Sequence, residues 1–516
     1  MKYSLFRTIS YVKKIYKFRG SFLFSLSIYF LQKKWYDFSH GKLKFAIQFL
    51  KNLNQLMGGS MKSLSKSKIC FFAIGQFGWS LLSGIISNWM VYIYQPDAAG
   101  SAFFIPQTRV VLGVFTIIGG ITAFGRIFDA ITDPWIASLS DRCKSKNGRR
   151  IPFLKWASVP LAASTVLVFC APVNGISWIN TVWLLVFIAC YYLAITAYCT
   201  PYNALISELG HTQQDRLAIS TAISFTFIVG TAISMQAASV WGIFINNGME
   251  RMTAIRLTFV IFAVIALICL LVPPLTIREK DYVTTKPSEA GAGASLVKTF
   301  KNPDFRIFVA SDILYFVALT MFQTGLTFFV TSLLGLDESV AGTLFVLMTA
   351  LSLLFYIPIN KLVPKFGKKK LVRLAFLLFS IVYLYTAFLG KSLPIPSMVQ
   401  GYILVLLASL PMAIFGILPQ AMVADVAEAD AKTTGENREG MFFAARTFAF
   451  KLGQSASMLI FTSLATIGRD PVTNVSDGSG YRIVAITAFV LCACGGVILR
   501  FFNEKRINTI LGSKNQ

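Results

Sequence analysis

Asp129 and Asp133 stand four residues apart inside an apolar run, so a helix presents both on one face, with Thr132 beside them. An ionised Asp at the centre of a membrane helix costs about 2.5 to 3.5 kcal/mol on insertion scales, and a pair costs more unless a cation lies between them. The pair therefore demands a counter-charge. Pro134 has no N–H for the carbonyl of Ala130, which frees an oxygen one turn from both carboxylates. Carboxylate, hydroxyl and carbonyl oxygens are hard ligands of the kind that suit sodium, and two carboxylates serve a proton equally well. The alternative for the pair is a purely structural salt bridge.

The elements that must hold these groups are membrane helices. Of 516 residues 55% are hydrophobic and 14% charged, which marks a polytopic membrane protein. At about 20 residues per crossing, twelve apolar segments qualify as spans: 69–94, 110–140, 151–173, 180–206, 217–245 and 257–277, then 305–334, 340–362, 371–389, 398–426, 441–467 and 481–502. Residues 278–304 read as a polar linker between two six-helix bundles (69–277 and 305–502), and 503–516 as a tail.

The net charge of +25 resides in short loops of alternate parity, which is a topology signal and excludes a nucleic-acid partner. Arg142, Lys144, Lys146, Arg149 and Arg150 share a side with Lys361, Lys365, Lys368, Lys369, Lys370 and Arg373. By the positive-inside rule that side and both termini are expected in the cytoplasm, with the protein in the plasma (inner) membrane. Residues 1–68 carry fourteen Lys or Arg against Asp37 alone. That extension either lies on an anionic membrane face or is not translated, Met61 being the alternative start. Eight cysteines show no metal or disulfide spacing, and His40 and His211 lie outside the spans, so enzyme chemistry and a resident cofactor are not expected.

The two halves repeat. Asp141 to Gly148 followed by Arg149 and Arg150 corresponds to Asn360 to Gly367 followed by Lys368 and Lys369, at an offset of 219 residues. Pro201 maps onto Pro419 at an offset of 218, with acids following at Glu208 and Asp425. Matched interruptions in two six-helix halves are the mark of a rocking transporter that binds its cargo near the midplane.

With the run Arg126-Ile-Phe-Asp129-Ala-Ile-Thr132-Asp133-Pro134, the Asp141–Arg150 loop, and Asp425, Glu428, Asn437-Arg438-Glu439-Gly440 and Lys451, the chain resembles the glycoside-pentoside-hexuronide:cation symporters. These are the melibiose-permease type of the major facilitator superfamily, and the likeness covers about residues 69–502. The resemblance implies an all-α fold of twelve transmembrane helices in two pseudo-symmetric bundles. It implies that Asp129, Thr132, Asp133 and Thr196 bind the coupling cation, sodium or proton. It places Lys451 beside them, sensing or replacing the cation, with Arg126 a further charge-coupling candidate. It makes Asp141, Arg142, Arg149, Arg150, Asp425, Glu428 and Arg438 candidates for a cytoplasmic gate.

The departures concern the cargo. Two sugar-gripping aspartates of the melibiose type fall on Ser80 and Cys199, and an aromatic falls on Asn203. Candidates for the pocket are Ser80, Asn88, Trp89, Tyr198, Cys199, Tyr202 and Asn203, with Asp312 meeting cargo or pairing with Lys451. The expected activity is symport of a monovalent cation with a small solute, a glycoside, sugar or sugar acid, by a monomer in membrane lipid. A lysophospholipid symporter and a non-transporting sensor remain open on the same fold.

Overall fold

The computed structural model describes residues 64–97, 102–110, 115–210, 213–282, 299–390, 393–435, 439–470 and 475–512. Most of the basic extension, residues 283–298 of the linker, and Arg438 lie outside the described residues.

Twelve crossings follow one another. The first half has Lys66–Tyr94, Ile117–Arg142, Ile151–Leu167, Trp178–Leu209, a fifth crossing made of Gln213–Met235 and Ala237–Asn246, and Arg251–Thr276. The second has Pro303–Phe328 continued to Leu333, then Glu338–Phe366, Lys368–Ala387, Ser397–Thr434, Glu439–Leu464 and Ser479–Ile498. A last short helix, Glu504–Leu511, follows. Two short strands, Arg109–Val110 and Phe115–Thr116, pair antiparallel just before the second crossing, where the sequence pattern had suggested helix from residue 110. The third crossing stops at Leu167, short of 173, and the tenth runs on to Thr434, beyond 426.

Among the described residues nine helices are long and apolar enough to cross a membrane. Three crossings are not among them: the third, Ile151–Leu167, has only 17 residues, and the second and eleventh carry Arg126, Asp129 and Asp133, and Arg446 and Lys451, respectively. Charged residues at membrane depth thus lower the apolar character of the second and eleventh crossings.

Side-chain caps set several starts. Ser65, Thr116, Ser177, Asn302 and Asp337 each accept a backbone N–H from the first turn of the helix that follows. On the second crossing, Phe124, Ile127, Ile131, Trp135 and Leu139 form an exposed apolar stripe at helical spacing, as a lipid-facing surface requires. Asp129, Thr132, Ile136 and Ser140 occupy the buried face behind it.

Within the first half, the first crossing packs on the fifth and sixth, and the second on the fourth. The halves meet where the first crossing touches the seventh, the fifth touches the eighth and the second touches the eleventh. Gly119 sits against Thr462 at the last of these contacts, where a Cβ would lie 2.2 Å from the Thr462 Oγ1, so only glycine permits so close an approach.

Candidate functional site

The second and fourth crossings run parallel and in register, and that register builds the site. Gly125 packs directly on the Tyr192 ring; a Cβ there would lie 2.3 Å from the ring edge. One turn further, Thr196 Oγ1 donates to Asp129 Oδ1 at 2.5 Å, and one turn beyond that Thr200 Oγ1 donates to Asp133 Oδ1 at 3.1 Å. The three layers keep one residue offset of 67, so the four-residue spacing of the carboxylates is matched by a four-residue spacing of hydroxyls.

From the opposite half, Lys451 on the eleventh crossing closes the arrangement. Its Nζ lies 2.7 Å from Asp129 Oδ2 and 2.5 Å from Asp133 Oδ2. One ammonium therefore bridges both acids and ties the two halves together. The Asp129 side chain is 9% exposed and that of Asp133 28%, so the site is deeper at Asp129 and opens at Asp133. Thr132 turns away, its hydroxyl donating to the backbone carbonyl of Asp129 at 3.2 Å. Arg126, one turn before Asp129, is half-buried; its Nη2 donates to Ser87 Oγ at 3.3 Å and its guanidinium lies 5.5 Å from the Tyr192 ring centroid.

Asp312 does not pair with Lys451. Its carboxylate takes Nε of Arg446 at 2.7 Å and Nη2 at 3.2 Å, while Arg446 Nη1 reaches Gln420 Oε1 at 2.5 Å. Lys451 is already shared by two acids, and Arg446 offers Asp312 the two-pronged geometry that an ammonium lacks. An intramembrane arginine and an intramembrane aspartate each require a partner, and that was the available sequence signal.

Most of the expected pocket residues are used in packing. Trp89 donates to the Ser234 carbonyl at 2.7 Å and Asn88 to the Ser234 hydroxyl at 3.3 Å, joining the first and fifth crossings. Ser80 bonds back to the Phe77 carbonyl and lies against Gly230. Tyr198 and Tyr202 donate to the carbonyls of Leu270 and Phe72, and Tyr202 stacks on the Phe72 ring. These five are buried helix contacts, leaving half-buried Cys199 and exposed Asn203 as the ones open to a ligand.

At the basic end the two halves repeat one device. The Glu279 carboxylate accepts the backbone N–H groups of Arg149, Arg150 and Ile151 at 2.8, 2.8 and 3.0 Å, capping the third crossing. Glu504 accepts those of Lys368 and Lys369 at 2.7 and 3.2 Å, capping the ninth. Gly148 (φ +111°) and Gly367 (φ +79°) precede these basic pairs, and a Cβ on Gly148 would strike Glu279. Arg150 reaches Asp141 at 2.5 Å and Glu208 at 3.1 Å, Arg149 reaches Glu208 at 3.0 Å, and Lys368 reaches Asp425 at 2.5 Å. Each of these ion pairs stays within its own half. Glu428 pairs with its helix neighbour Lys432 at an exposed site, and Arg142 is exposed.

At the far end the halves are joined. Glu338, from the eighth crossing, accepts from Tyr92 (2.6 Å), Trp241 (2.6 Å) and Arg251 (2.7 Å), all in the first half. Asp97, following the first crossing, accepts from the Ser332 hydroxyl. Gln95 donates to the Thr462 carbonyl at 2.9 Å and receives Arg469 on its own carbonyl at 3.1 Å.

The family described as MFS/sugar transport protein matches residues 71–503 of the chain. An uncharacterized symporter of Synechocystis sp. is 24% identical, with 86% of this chain and 95% of the relative covered. The isoprimeverose transporter of Lactiplantibacillus pentosus is 22% identical, with 74% and 76% covered. Among solved structures, the nucleoside transporter NupG superposes with a TM-score of 0.60 at 14% identity, over 84% of this chain and 99% of that one.

Proposed function

Because the chain belongs to the MFS/sugar transport protein family, and so is a multi-pass membrane transporter and not an enzyme, we propose that it is a cation-coupled symporter of a small polar solute. The observation that carries the reading is the Lys451 ammonium, shared between Asp129 and Asp133 across the two halves. A tethered cation there holds the oxygens that a mobile sodium ion or proton would use. Thr196 and Thr200 add neutral oxygens to the same two carboxylates, a donor set that suits a hard monovalent cation.

Loading is coupled to movement by competition. A cation taking over the carboxylates releases Lys451 and with it one tie between the second and eleventh crossings, so occupancy changes the energy of rocking. With the basic end cytoplasmic by the positive-inside rule, the far-end contacts of Glu338 and Asp97 close the outer face, and the conformation is inward-facing. The solute is a glycoside, sugar or sugar acid, in keeping with the relative named an isoprimeverose transporter.

The test is uptake into proteoliposomes at fixed pH, with and without an inward sodium gradient and then with a proton gradient. Gradient-driven accumulation is expected to be lost in Asp133→Cys. Accumulation by that variant equal to that of the parent protein would remove the site assignment.

A further inference from the structure

A lysine displaced from two buried acids needs somewhere to go. Once a cation takes the oxygens of Asp129 and Asp133, the Lys451 ammonium is left at membrane depth without its partners, and a charge there requires another acceptor. Asp312, the acid of the seventh crossing, already holds Nε and Nη2 of Arg446. Glu338 is engaged by Tyr92, Trp241 and Arg251 at the far end. A neutral oxygen is the acceptor that remains, and the lysine's own helix carries one. Gln454 stands three residues after Lys451, so the two side chains are neighbours on the eleventh crossing. Contacts on either side fix where it faces. Lys451 and Ser455 reach the second crossing, at Asp129, Asp133 and the Ala123 carbonyl. Phe450, Gly453 and Ser457 lie against Phe316, Ile313 and the Val317 carbonyl of the seventh. Gln454 falls between these two faces. Its Oε1 is buried and accepts no hydrogen bond, a condition that native structures rarely leave uncorrected. Helix side chains lean toward the N-terminus, which carries the Gln454 amide over the turn that holds Lys451.

We infer that Gln454 is a positioning residue for coupling, whose Oε1 receives the Lys451 ammonium when the cation displaces it. This deepens the symporter reading above and rests on it. The unpaired acceptor and the displaced donor are then two ends of a single move. In the present arrangement the ammonium bridges the carboxylates and Gln454 Oε1 is unpaired; in the loaded one the cation holds the carboxylates and the ammonium bonds Gln454. The move also relocates a tie. A contact that joined the second and eleventh crossings becomes a contact within the eleventh, so the halves part at this point while the lysine stays satisfied. No step requires Lys451 to lose its proton or to reach water.

The test is a double-mutant cycle on the purified protein. Cation binding is followed by intrinsic tryptophan fluorescence as sodium is added at fixed pH, or as pH is lowered where sodium gives no response. Gln454→Met keeps an unbranched chain of similar length and removes the amide. With Lys451 in place, its titration midpoint is expected to move about tenfold toward weaker binding, the worth of one hydrogen bond from a charged donor. Combined with Lys451→Met, the same substitution is expected to move nothing, because no ammonium is left to receive. A shift of equal size in both backgrounds would make Gln454 purely structural and overturn the inference, as would no shift in either. Because a variant could fail to fold, the unaltered protein supplies a second readout. In a structure at saturating cation, Lys451 Nζ is expected within hydrogen-bond distance of Gln454 Oε1; Nζ seated on another acceptor, or still on both acids, would overturn the inference and leave gradient-driven uptake to be explained otherwise. A parent protein whose fluorescence answers neither cation, and whose uptake ignores both gradients, would overturn the symporter reading itself.

Discussion

Replacing Lys451 by methionine keeps an unbranched chain of similar length and removes only the ammonium. In the structure that ammonium makes contacts of 2.7 and 2.5 Å with two acids. At an effective dielectric of about 20, each such contact carries a gross attraction of about 6 kcal/mol, much of it offset by desolvation. Removing one member of a buried pair costs about 3 to 5 kcal/mol, and the partial exposure of Asp133 favours the lower figure. Since Lys451 and the coupling cation compete for the same oxygens, about 3 kcal/mol returned to the cation corresponds to roughly a hundredfold tighter binding. The assay is a sodium or proton titration of purified protein followed by intrinsic tryptophan fluorescence, or by thermal unfolding as cation is added. Lys451→Met is expected to shift the titration midpoint about two decades lower and to lose solute accumulation, because the cation no longer releases anything. A midpoint unchanged or raised would refute competition and recast Lys451 as a fixed support for the carboxylates.

Three further outcomes follow from the geometry. Gly125→Ala places a Cβ 2.3 Å from the Tyr192 ring and must push the second and fourth crossings apart; an overpacking cost of about 1 to 3 kcal/mol is expected in thermal unfolding, with weakened cation affinity because the Thr196 and Thr200 hydroxyls retreat. Glu338→Gln leaves one acceptor oxygen where Tyr92 and Trp241 now donate to two, and loses the charge that holds Arg251; spin labels across the far end should report a larger share of separated distances, and an unchanged distribution would deny Glu338 a part in closing that face. Glu250, which caps the sixth crossing, has its carboxyl held below the usual range by the backbone N–H groups of Met252 and Thr253. A depressed folded value contributes stability above the unfolded pKa and loses it as pH falls through the folded one. Glu250→Gln should therefore flatten the acid limb of a melting-temperature profile slightly, whereas an unchanged limb would exclude the cap.

Much of this organisation is visible in the residue pattern, and the gaps have a common cause. Helical periodicity places Asp129 and Asp133 on one face without any knowledge of neighbours. The repeated Gly-basic-basic loops and the acids at Glu208 and Asp425 stand out because two halves of one chain can be compared with each other. Thr200 was within reach, being one turn from Thr196, yet its alignment with Asp133 depends on the parallel register that Gly125 and Tyr192 set. The Asp312–Arg446 pair and the Glu338 cluster join residues between 87 and 246 positions apart, and periodicity within a helix says nothing about the rotation of one helix against another. Glu279 and Glu504 look like ordinary loop acids until the structure folds them onto the starts of the third and ninth crossings. The break after Met235 carries neither proline nor glycine to announce it. Trp89, Tyr198 and Tyr202 were drawn toward the pocket by chemical type, whereas large aromatic side chains with one polar tip serve equally well between helices, where their donors find carbonyls.

The account turns on whether an arriving cation displaces the lysine. A structure determined at saturating coupling cation, sodium or low pH as the transport assay dictates, measures this as the separation of Lys451 Nζ from the two carboxylates. The account predicts that Nζ withdraws from hydrogen-bond distance of at least one of Asp129 and Asp133, with the second and eleventh crossings parting there. Both contacts persisting at their present 2.7 and 2.5 Å while the transported cation is held elsewhere would contradict it.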